Sequence, residues 1–223
     1  MTWNTLVEFF YVQQNVNNGL HRFRGLDWPK IRAISEIRCL LKTGFAILLL
    51  PAFLACQKKP TQTVDLGAVT LATDAAWQAV APSSQMRKAQ FTLPRVAEDG
   101  QDAELIVFYF GAGQGGSVEA NLDRWYGQFA QPDSSSSAEK AKTSHEVVDG
   151  MNLTMVDLSG TYVAPKMPGS EEQYNEPSFR MLAAVLETAQ GPYFFKLVGP
   201  EKTVAHWANS FSEFVKSAKK NAG

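Results

Sequence analysis

A glycine-rich motif is the first pattern in this sequence that suggests a binding or catalytic site. Gly111, Gly113 and Gly116 satisfy the spacing G-x-G-x-x-G, after a strand-like apolar run and before a helical pattern. In dinucleotide-binding folds this spacing brings backbone N–H groups to a pyrophosphate at a helix N-terminus. Such a site needs a β-α-β unit, whereas this chain continues into a serine-rich segment and a hairpin pattern. We therefore expect a strand-to-helix turn, with an anion-binding or partner-binding loop as the functional alternative.

Two segments are the surfaces that we would test first for binding. One is the turn around the glycine motif, whose candidate binding residues are Gly111, Gly113, Gln114, Gly115, Gly116 and Ser117. The other is the segment Val163–Ser178, which carries three prolines and the acidic residues Glu171, Glu172 and Glu176 without periodicity. A solvated surface loop is the favoured interpretation of that segment, although long loops on a rigid sheet often bind cations or partners.

The sequence favours no catalytic residues, no metal site and no cofactor. His145 and His206 are the only histidines after Cys56, which is too few for a metal cluster. The two cysteines, Cys39 and Cys56, precede the domain, so a disulfide, a thiolate zinc site and a thiol nucleophile are excluded within it. No G-x-S-x-G elbow accompanies the serines. We expect both histidines to be surface residues rather than acid-base groups.

The charge distribution argues against nucleic acid as a partner. Residues 1–55 hold six basic and three acidic residues, which leaves 15 basic and 19 acidic residues and a net charge of −4 in the remainder. Affinity for nucleic acid comes mostly from neutralising phosphates with basic side chains. A mildly acidic domain without a basic stripe does not fit that requirement.

The N-terminal part has the pattern of an export signal. An apolar run from Gly44 to Cys56 follows Arg38 and Lys42 and precedes Gln57, Lys58 and Lys59. The run is too short to span a bilayer, and Pro51 interrupts it. Its end, Phe53-Leu54-Ala55-Cys56, resembles the lipobox of bacterial lipoproteins, with Phe53 where that family usually has Leu, Val or Ile. The resemblance implies lipidation, including palmitate, at Cys56, and Gln57 implies the outer membrane, facing the periplasm.

The boundaries that follow from this interpretation divide the chain into four parts. Residues 1–36 are an N-terminal extension whose translation is in question, because lipoprotein signals usually begin close to their basic region. Residues 37–55 form the signal segment, and the polar residues 56–65 form a tether. Residues 66–223 form a single domain, which is long enough to bury its own core.

The strand patterns of the domain predict an antiparallel sheet. Met86–Leu93 and Glu104–Phe110 have the alternation or the β-branched and aromatic content of strands. Two hairpins follow, one around Asp149-Gly150 and one around Gln190-Gly191-Pro192. Asp74–Val80 is expected to be a short helical turn, and Gln131–Ala141 a mobile polar loop.

Two amphipathic helices are predicted to cover this sheet. The first has Ser117 as its cap and apolar positions from Val118 to Phe129. The second runs from Pro200 to about Lys220 and buries the side chains Val204, Trp207, Phe211, Phe214 and Val215. We also expect Trp77 and Trp125 in the core. Adjacent hairpins with helices between them indicate an α+β domain with an antiparallel β-sheet flanked by helices.

The C-terminal stretch Gly191–Ser217 carries a family resemblance. A strand enters Gly199-Pro200 and is followed by a helix with aromatic core positions. This pattern is similar to the end of PsbP-like domains, a fold that PsbP shares with the Mog proteins. The resemblance implies an antiparallel sheet between helices and a role in binding or assembly, usually without catalysis.

Together, these patterns predict a membrane-tethered envelope lipoprotein that acts as a non-enzymatic interaction or assembly module. Its expected contacts are the membrane, through Cys56, and another envelope protein. Two alternatives remain open at this point: a small envelope hydrolase, which would need a histidine beside a carboxylate in a cleft, and a carrier of an apolar ligand, which would need an apolar cavity of suitable size.

Overall fold

The computed structural model describes residues 61–167 and 169–221, which form eleven strands and three helices. The strands are β1 (Thr61–Asp65), β2 (Val69–Asp74), β3 (Gln78–Val80), β4 (Arg87–Leu93), β5 (Ala103–Tyr109), β6 (Phe129–Ala130), β7 (Lys142–Val148), β8 (Met151–Tyr162), β9 (Glu176–Thr188), β10 (Gly191–Pro200) and β11 (Lys219–Lys220). The helices are α1 (Val118–Tyr126), α2 (Ser137–Lys140) and α3 (Glu201–Lys216). All pairings between these strands are antiparallel, so the α+β prediction is confirmed.

The main sheet has the order β3-β4-β5-β10-β9-β8-β6, and β7 also pairs with β8. The two predicted hairpins form its centre and one edge. Asp149 and Gly150 have φ values of 50° and 70°, the positive values that a tight two-residue hairpin turn requires. Val148 is therefore paired with Met151, and this register continues along the whole of β7.

Alternation along the central strands separates two cores. In β10, Tyr193, Phe195 and Leu197 face one side of the sheet and pack with α3, whereas Phe194 faces the other side and packs with α1. Trp77 and Trp207 lie in the first core and Trp125 in the second, so the prediction of core tryptophans is confirmed. A three-stranded sheet, β1-β2-β11, adjoins the α3 side through its buried residues Leu66, Val69 and Leu71.

The C-terminal helix ends earlier than the sequence pattern predicted. The side chain of Ser217 donates a hydrogen bond to Phe214 O (2.7 Å) and accepts one from the N–H of Ala72 on β2 (2.8 Å). Lys219 and Lys220 then pair with β2 rather than extending the helix. The prediction of a helix to about Lys220 was wrong because strand pairing at the end of the chain replaces the last helical turn.

Four local predictions also need correction. Thr61–Asp65, assigned to the tether, form β1 and pair with β2. Asp74–Val80 forms a turn and β3 instead of a helical turn. Helix α1 ends at Tyr126 with Gly127 as its C-cap, so Phe129, which was predicted to lie on the helix, is instead buried in β6. The polar loop Gln131–Ala141 contains α2, whose buried Ser137 donates to Phe129 O at 2.8 Å.

The remaining predictions about the N-terminus, including Cys56, the signal segment and residues 1–36, lie outside the described residues. In the part of the chain that the structure does describe, none of the helices has the length and apolar character needed to cross a membrane.

Candidate functional site

Helix α1 covers only part of its side of the main sheet. Cross-strand partners on this side form rows, and the row His145–Thr154–Val185–Phe194 lies beside the helix. The neighbouring row at the end of the sheet is left open, and it consists of Val147, Asn152, Glu187 and Pro192. The side chain of Val147 in this row is 70% exposed. An uncovered strip of sheet therefore lies beyond the start of α1.

The glycine-rich turn forms one wall beside this strip, and its geometry is set by close packing. Gly111, Gly113, Gly115 and Gly116 all have positive φ. A Cβ on Gly115 would lie 2.7 Å from the ring of Phe110 and 3.0 Å from that of Phe194, so only glycine fits there. At the other end, a Cβ on Gly191 would lie 2.7 Å from Gly111 O. The turn thus packs closely against the sheet near both ends.

A buried side chain that the sequence analysis missed also anchors the turn. Asn121 on α1 is 1% exposed, and its amide nitrogen donates to Gly115 O (2.7 Å) and Ser117 O (2.8 Å). Its side-chain oxygen accepts a hydrogen bond from Arg124. The only signal in the sequence is a polar residue next to Leu122 within the helical pattern. These bonds tie the turn to the helix that follows it.

The strip and the turn together border an open groove of about 1040 Å³. We call this surface the glycine-loop groove. Its lining includes Gly113, Gln114, Gly116 and Ser117 from the turn, but neither Gly111 nor Gly115. A Cβ on Gly115 would meet the rings of Phe110 and Phe194, whereas one on Gly111 would meet open space. Val118, Glu119 and Leu122 of α1 and Thr143, His145 and Val147 of β7 line its sides, with Asn152, Thr154, Glu187 and Pro192 among its other lining residues. The structure therefore brings four of the six candidate loop residues together with a sheet surface.

The N-terminus of α1 already holds a negative charge. Ser117 caps the helix by accepting a hydrogen bond from the N–H of Ala120 (3.2 Å), as its position in the sequence predicted. The pKa of Glu119 lies below its ordinary value because its carboxylate is hydrogen-bonded to its own backbone N–H and to the Ser117 side chain. An anion arriving at this helix end would meet that carboxylate. The geometry therefore disfavours the anion-binding alternative for the turn.

The histidines lie on the surface, as expected. His145 is exposed on the groove side, and its Nδ1 lies 3.0 Å from Thr154 Oγ1. His206 is exposed on α3 with its ring edge-on to Trp207, at 4.7 Å between centroids. The structure records no hydrogen bond or ion pair between either histidine and a carboxylate of residues 61–167 and 169–221. Within the same residues, no three acidic or histidine side chains are grouped so that they could hold a metal ion.

Lys196 is a second site that the sequence analysis did not single out. It projects from β10 on the α1 side, in the same row as Thr143, Val156 and Ala183. Its Nζ donates to the side-chain oxygen of Gln128 and lies 3.4 Å from Tyr162 Oη. Burial, with a smaller contribution from the nearby charge of Arg124, lowers the pKa of Lys196 to about 8. Burial also raises the pKa of Tyr162 to about 12.

The predicted loop Val163–Ser178 does not line the groove. It is also shorter than predicted, because Glu176, Pro177 and Ser178 already belong to β9. Ala164 and Tyr174 are joined by a backbone hydrogen bond of 2.9 Å, and Pro165 bridges to Gln173, so this segment folds back on itself. Tyr174 packs near Tyr162 and helps to line a cleft of about 160 Å³. Because Tyr162 ends β8, whereas Asn152 is near its start, the two predicted binding segments lie at opposite ends of the sheet.

A smaller and more apolar groove lies on the α3 side. It has a volume of about 310 Å³, and its lining includes Met155, Leu182, Ala208 and Phe211. Arg180 at its margin donates two hydrogen bonds to Asp157, at 2.8 and 2.7 Å. The ion pair between Arg180 and Asp157 is partly buried.

This chain resembles known proteins in fold but not in sequence. The chain matches no known family profile, and no curated protein matches it in sequence. A protein of unknown function from Pseudomonas aeruginosa has a similar structure, with 11% identity, a TM-score of 0.42, and coverage of 73% of this chain and 99% of that one. Cyanobacterial PsbP from Synechocystis is similar at 11% identity and a TM-score of 0.45, with coverage of 77% and 99%. A PsbP structure is thus among the matches, and the likeness says nothing about activity or partner.

Proposed function

We propose that this protein is a membrane-tethered, non-enzymatic interaction module that binds an extended segment of a partner protein at the glycine-loop groove. The observation that carries this proposal is the row Val147–Asn152–Glu187–Pro192, which α1 leaves uncovered inside a groove of about 1040 Å³. The groove is open to solvent and has both polar and apolar lining, and a surface of this kind suits an extended peptide segment.

The walls of the groove support the same function. The glycine turn is held by Asn121 and by close packing at Gly115 and Gly191, so it presents a defined surface. A surface that is already in its bound shape loses less conformational entropy on binding. Recognition by a loop on a rigid sheet is a common arrangement in binding domains.

A crosslinking experiment in intact envelopes tests the groove. A photo-crosslinking amino acid at Gln114, on the exposed rim, is expected to give a discrete adduct, and the same probe at Glu213, exposed on α3, is not. Asn152→Trp would fill the groove and should reduce the Gln114 adduct about tenfold. Asn209→Trp, at an exposed position on α3, is the matched control and should leave the adduct unchanged. Adducts of equal yield with both tryptophan variants would refute the groove as the binding site.

The placement in the envelope is part of the proposal and has its own test. Acylation of Cys56 would attach the domain to the outer membrane, facing the periplasm, because more than one acyl chain makes attachment stable. Cells grown with labelled palmitate should yield labelled protein, and Cys56→Ser should abolish both the label and the membrane fraction. Cys39→Ser is the control and should retain both. Unlabelled wild-type protein that retains residues 44–56 would contradict this placement.

A second candidate function, the carriage of an apolar ligand, rests on the smaller groove beside α3. Its volume of about 310 Å³ lies at the lower end of the range for small-molecule sites. Ala208→Trp should abolish the fluorescence enhancement of anilinonaphthalene sulfonate if this groove binds apolar molecules. Unchanged fluorescence in that variant would exclude it.

A further inference from the structure

The outer edge of β7 is open along the side of the groove. β7 pairs with β8 on one side, and none of the described strands pairs with its other side. This edge is seven residues long, and six of them are exposed. At the opposite edge of the main sheet, β3 has only three residues. An exposed edge of this length presents unpaired backbone donors and acceptors to another chain.

The hairpin turn determines which backbone groups of β7 are free. In a two-residue hairpin, the residues that close the turn exchange both hydrogen bonds, and bonded pairs then alternate with non-bonded pairs. Val148 closes the turn with Met151, so Ser144, Glu146 and Val148 direct their N–H and C=O groups towards β8. Thr143, His145 and Val147 direct theirs outward.

These three outward-bonding residues also face the groove with their side chains. Thr143, His145 and Val147 all line it. A strand added to this edge would therefore continue the rows of the sheet, and every second side chain of that strand would border the groove. Backbone pairing and side-chain recognition would then use the same three residues of β7, as in other cases of strand addition.

The charge of the groove selects the side chains of such a strand. Its lining carries Glu119, Glu146 and Glu187 and includes no lysine or arginine. Glu146 forms an ion pair with Lys216 at 2.6 Å on the α3 side, whereas no ion pair with a described residue is recorded for Glu187. A basic side chain on an added strand would extend over β7 towards this acidic groove, where the negative charges of Glu119 and Glu187 would favour it.

We infer that the partner segment adds to β7 as an extra strand and places alternating lysine or arginine side chains over the groove. This inference rests on the proposed function, because it specifies how a segment bound at the groove is recognised. The occupant is thus a stretch of another protein with extended conformation and alternating basic residues. Main-chain hydrogen bonds provide the affinity, and the two glutamates provide the preference for positive charge.

Amide hydrogen exchange on the full chain tests the strand addition directly. The probe is a capped seven-residue peptide of alternating valine and lysine, and the matched control is the alternating valine and glutamate peptide. The valine–lysine peptide is expected to slow exchange about tenfold at Thr143, His145 and Val147, because their N–H groups gain partners. Ser144, Glu146 and Val148 should not change, since their groups already bond to β8. Equal slowing at all six residues, or none, would overturn the inference.

Two sets of variants separate this inference from the proposed function. Val147→Pro removes one outward N–H without removing a bond to β8, and edge strands tolerate proline at such a position. It should abolish the protection, while Val147→Thr, which keeps the N–H, should retain it. The double variant Glu119→Gln, Glu187→Gln should weaken binding of the valine–lysine peptide about tenfold, and this variant does not depend on proline being accommodated.

These experiments distinguish failure of the strand-addition inference from failure of the groove as the binding site. If Val147→Pro and the double glutamine variant bind the peptide as the wild type does, strand addition is wrong. The proposed function survives that result as long as Asn152→Trp still reduces the Gln114 adduct about tenfold. If the adduct is insensitive to Asn152→Trp, the proposed function fails, whatever the exchange data show.

Discussion

At the scale of single residues, the most informative side chains are polar groups in apolar surroundings. Asn121 uses its buried amide to hold two carbonyls of the glycine turn. Lys196 places an amine between Gln128 and Tyr162 on the central strand, with no carboxylate in ion-pair contact among the described residues. A buried polar group without a hydrogen-bond partner lowers the stability of the folded state, so we expect the loss of either set of contacts to be destabilising.

The pKa of Lys196 leads to a prediction about pH. In the unfolded chain this lysine holds its proton up to its ordinary pKa of 10.5, whereas in the folded protein it loses the proton near pH 8. Between these values the unfolded state binds more protons, so Lys196 makes the free energy of unfolding rise with pH. Lys196→Met should remove that rise, as measured by urea unfolding from pH 7 to pH 10.5.

The control for this prediction is Lys202→Met, at an exposed position on α3. It should leave the slope of stability against pH as it is in the wild type. Should Lys196→Met and the wild type show parallel curves over the whole range, the amine would be titrating as in an exposed lysine.

At the scale of elements, the glycine turn is a joint between β5 and α1. Four of its glycines have positive φ. One end of the turn packs at Gly111 against Gly191 of β10, and the other packs at Gly115 against Phe194. The strand after α1 is the two-residue β6, which lies at the far edge of the sheet, whereas both neighbours of β5, β4 and β10, are antiparallel to it. The adjacent parallel strands of a dinucleotide-binding β-α-β unit are therefore not formed at this motif. The glycines of this motif are therefore required for the turn and its close packing, rather than for binding a pyrophosphate as in dinucleotide-binding folds.

A pair of alanine substitutions separates the two demands on these glycines. Gly113→Ala meets open space, so only the positive φ of 69° is penalised, at about 1 kcal/mol. Gly115→Ala adds contacts of 2.7 and 3.0 Å with Phe110 and Phe194, and overpacking of this kind costs about 1–3 kcal/mol more. Urea midpoints of the two variants provide the comparison, and equal destabilisation would contradict the packing argument.

At the scale of the whole molecule, the core on the α3 side connects elements that are distant in sequence. The ring of Phe214 lies 5.3 Å from that of Trp77, 6.3 Å from Phe91 and 5.6 Å from Phe195. These contacts join α3 to the turn before β3, to β4 and to β10. We expect the described part of the chain to unfold cooperatively, because one aromatic cluster is shared among these elements.

Phe214→Ala tests that dependence. Removing a fully buried phenylalanine is expected to lower the free energy of unfolding by about 3–5 kcal/mol, as measured by urea denaturation with matched far-ultraviolet and fluorescence signals. Val80→Ala, at a side chain that is 42% exposed, serves as the control, and should change stability by less than about 0.5 kcal/mol. A small effect of Phe214→Ala would mean that α3 is not integral to the fold.

Most of the local structure of this protein follows from short-range patterns in its sequence. The Asp149-Gly150 turn, the central strands, the cap at Ser117 and the apolar face of α3 follow from rules that act over a few residues, such as positive φ, side-chain alternation and helical periodicity. Two of the errors lie at the strands that flank β2. Thr61–Asp65 forms a hairpin with β2, whose short turn at residues 66–68 the sequence pattern did not reveal. Lys219–Lys220 becomes a strand only because β2, which is distant in sequence, lies beside it.

The position of the candidate site, by contrast, depends on how distant segments pack together. The row of Val147, Asn152, Glu187 and Pro192 is assembled from four strands, and its exposure depends on how far α1 extends over the sheet. The low pKa of Lys196 likewise depends on which side chains surround it. Grooves and shifted pKa values arise from contacts between residues far apart in the chain, whereas sequence patterns reflect interactions between residues that are close in sequence.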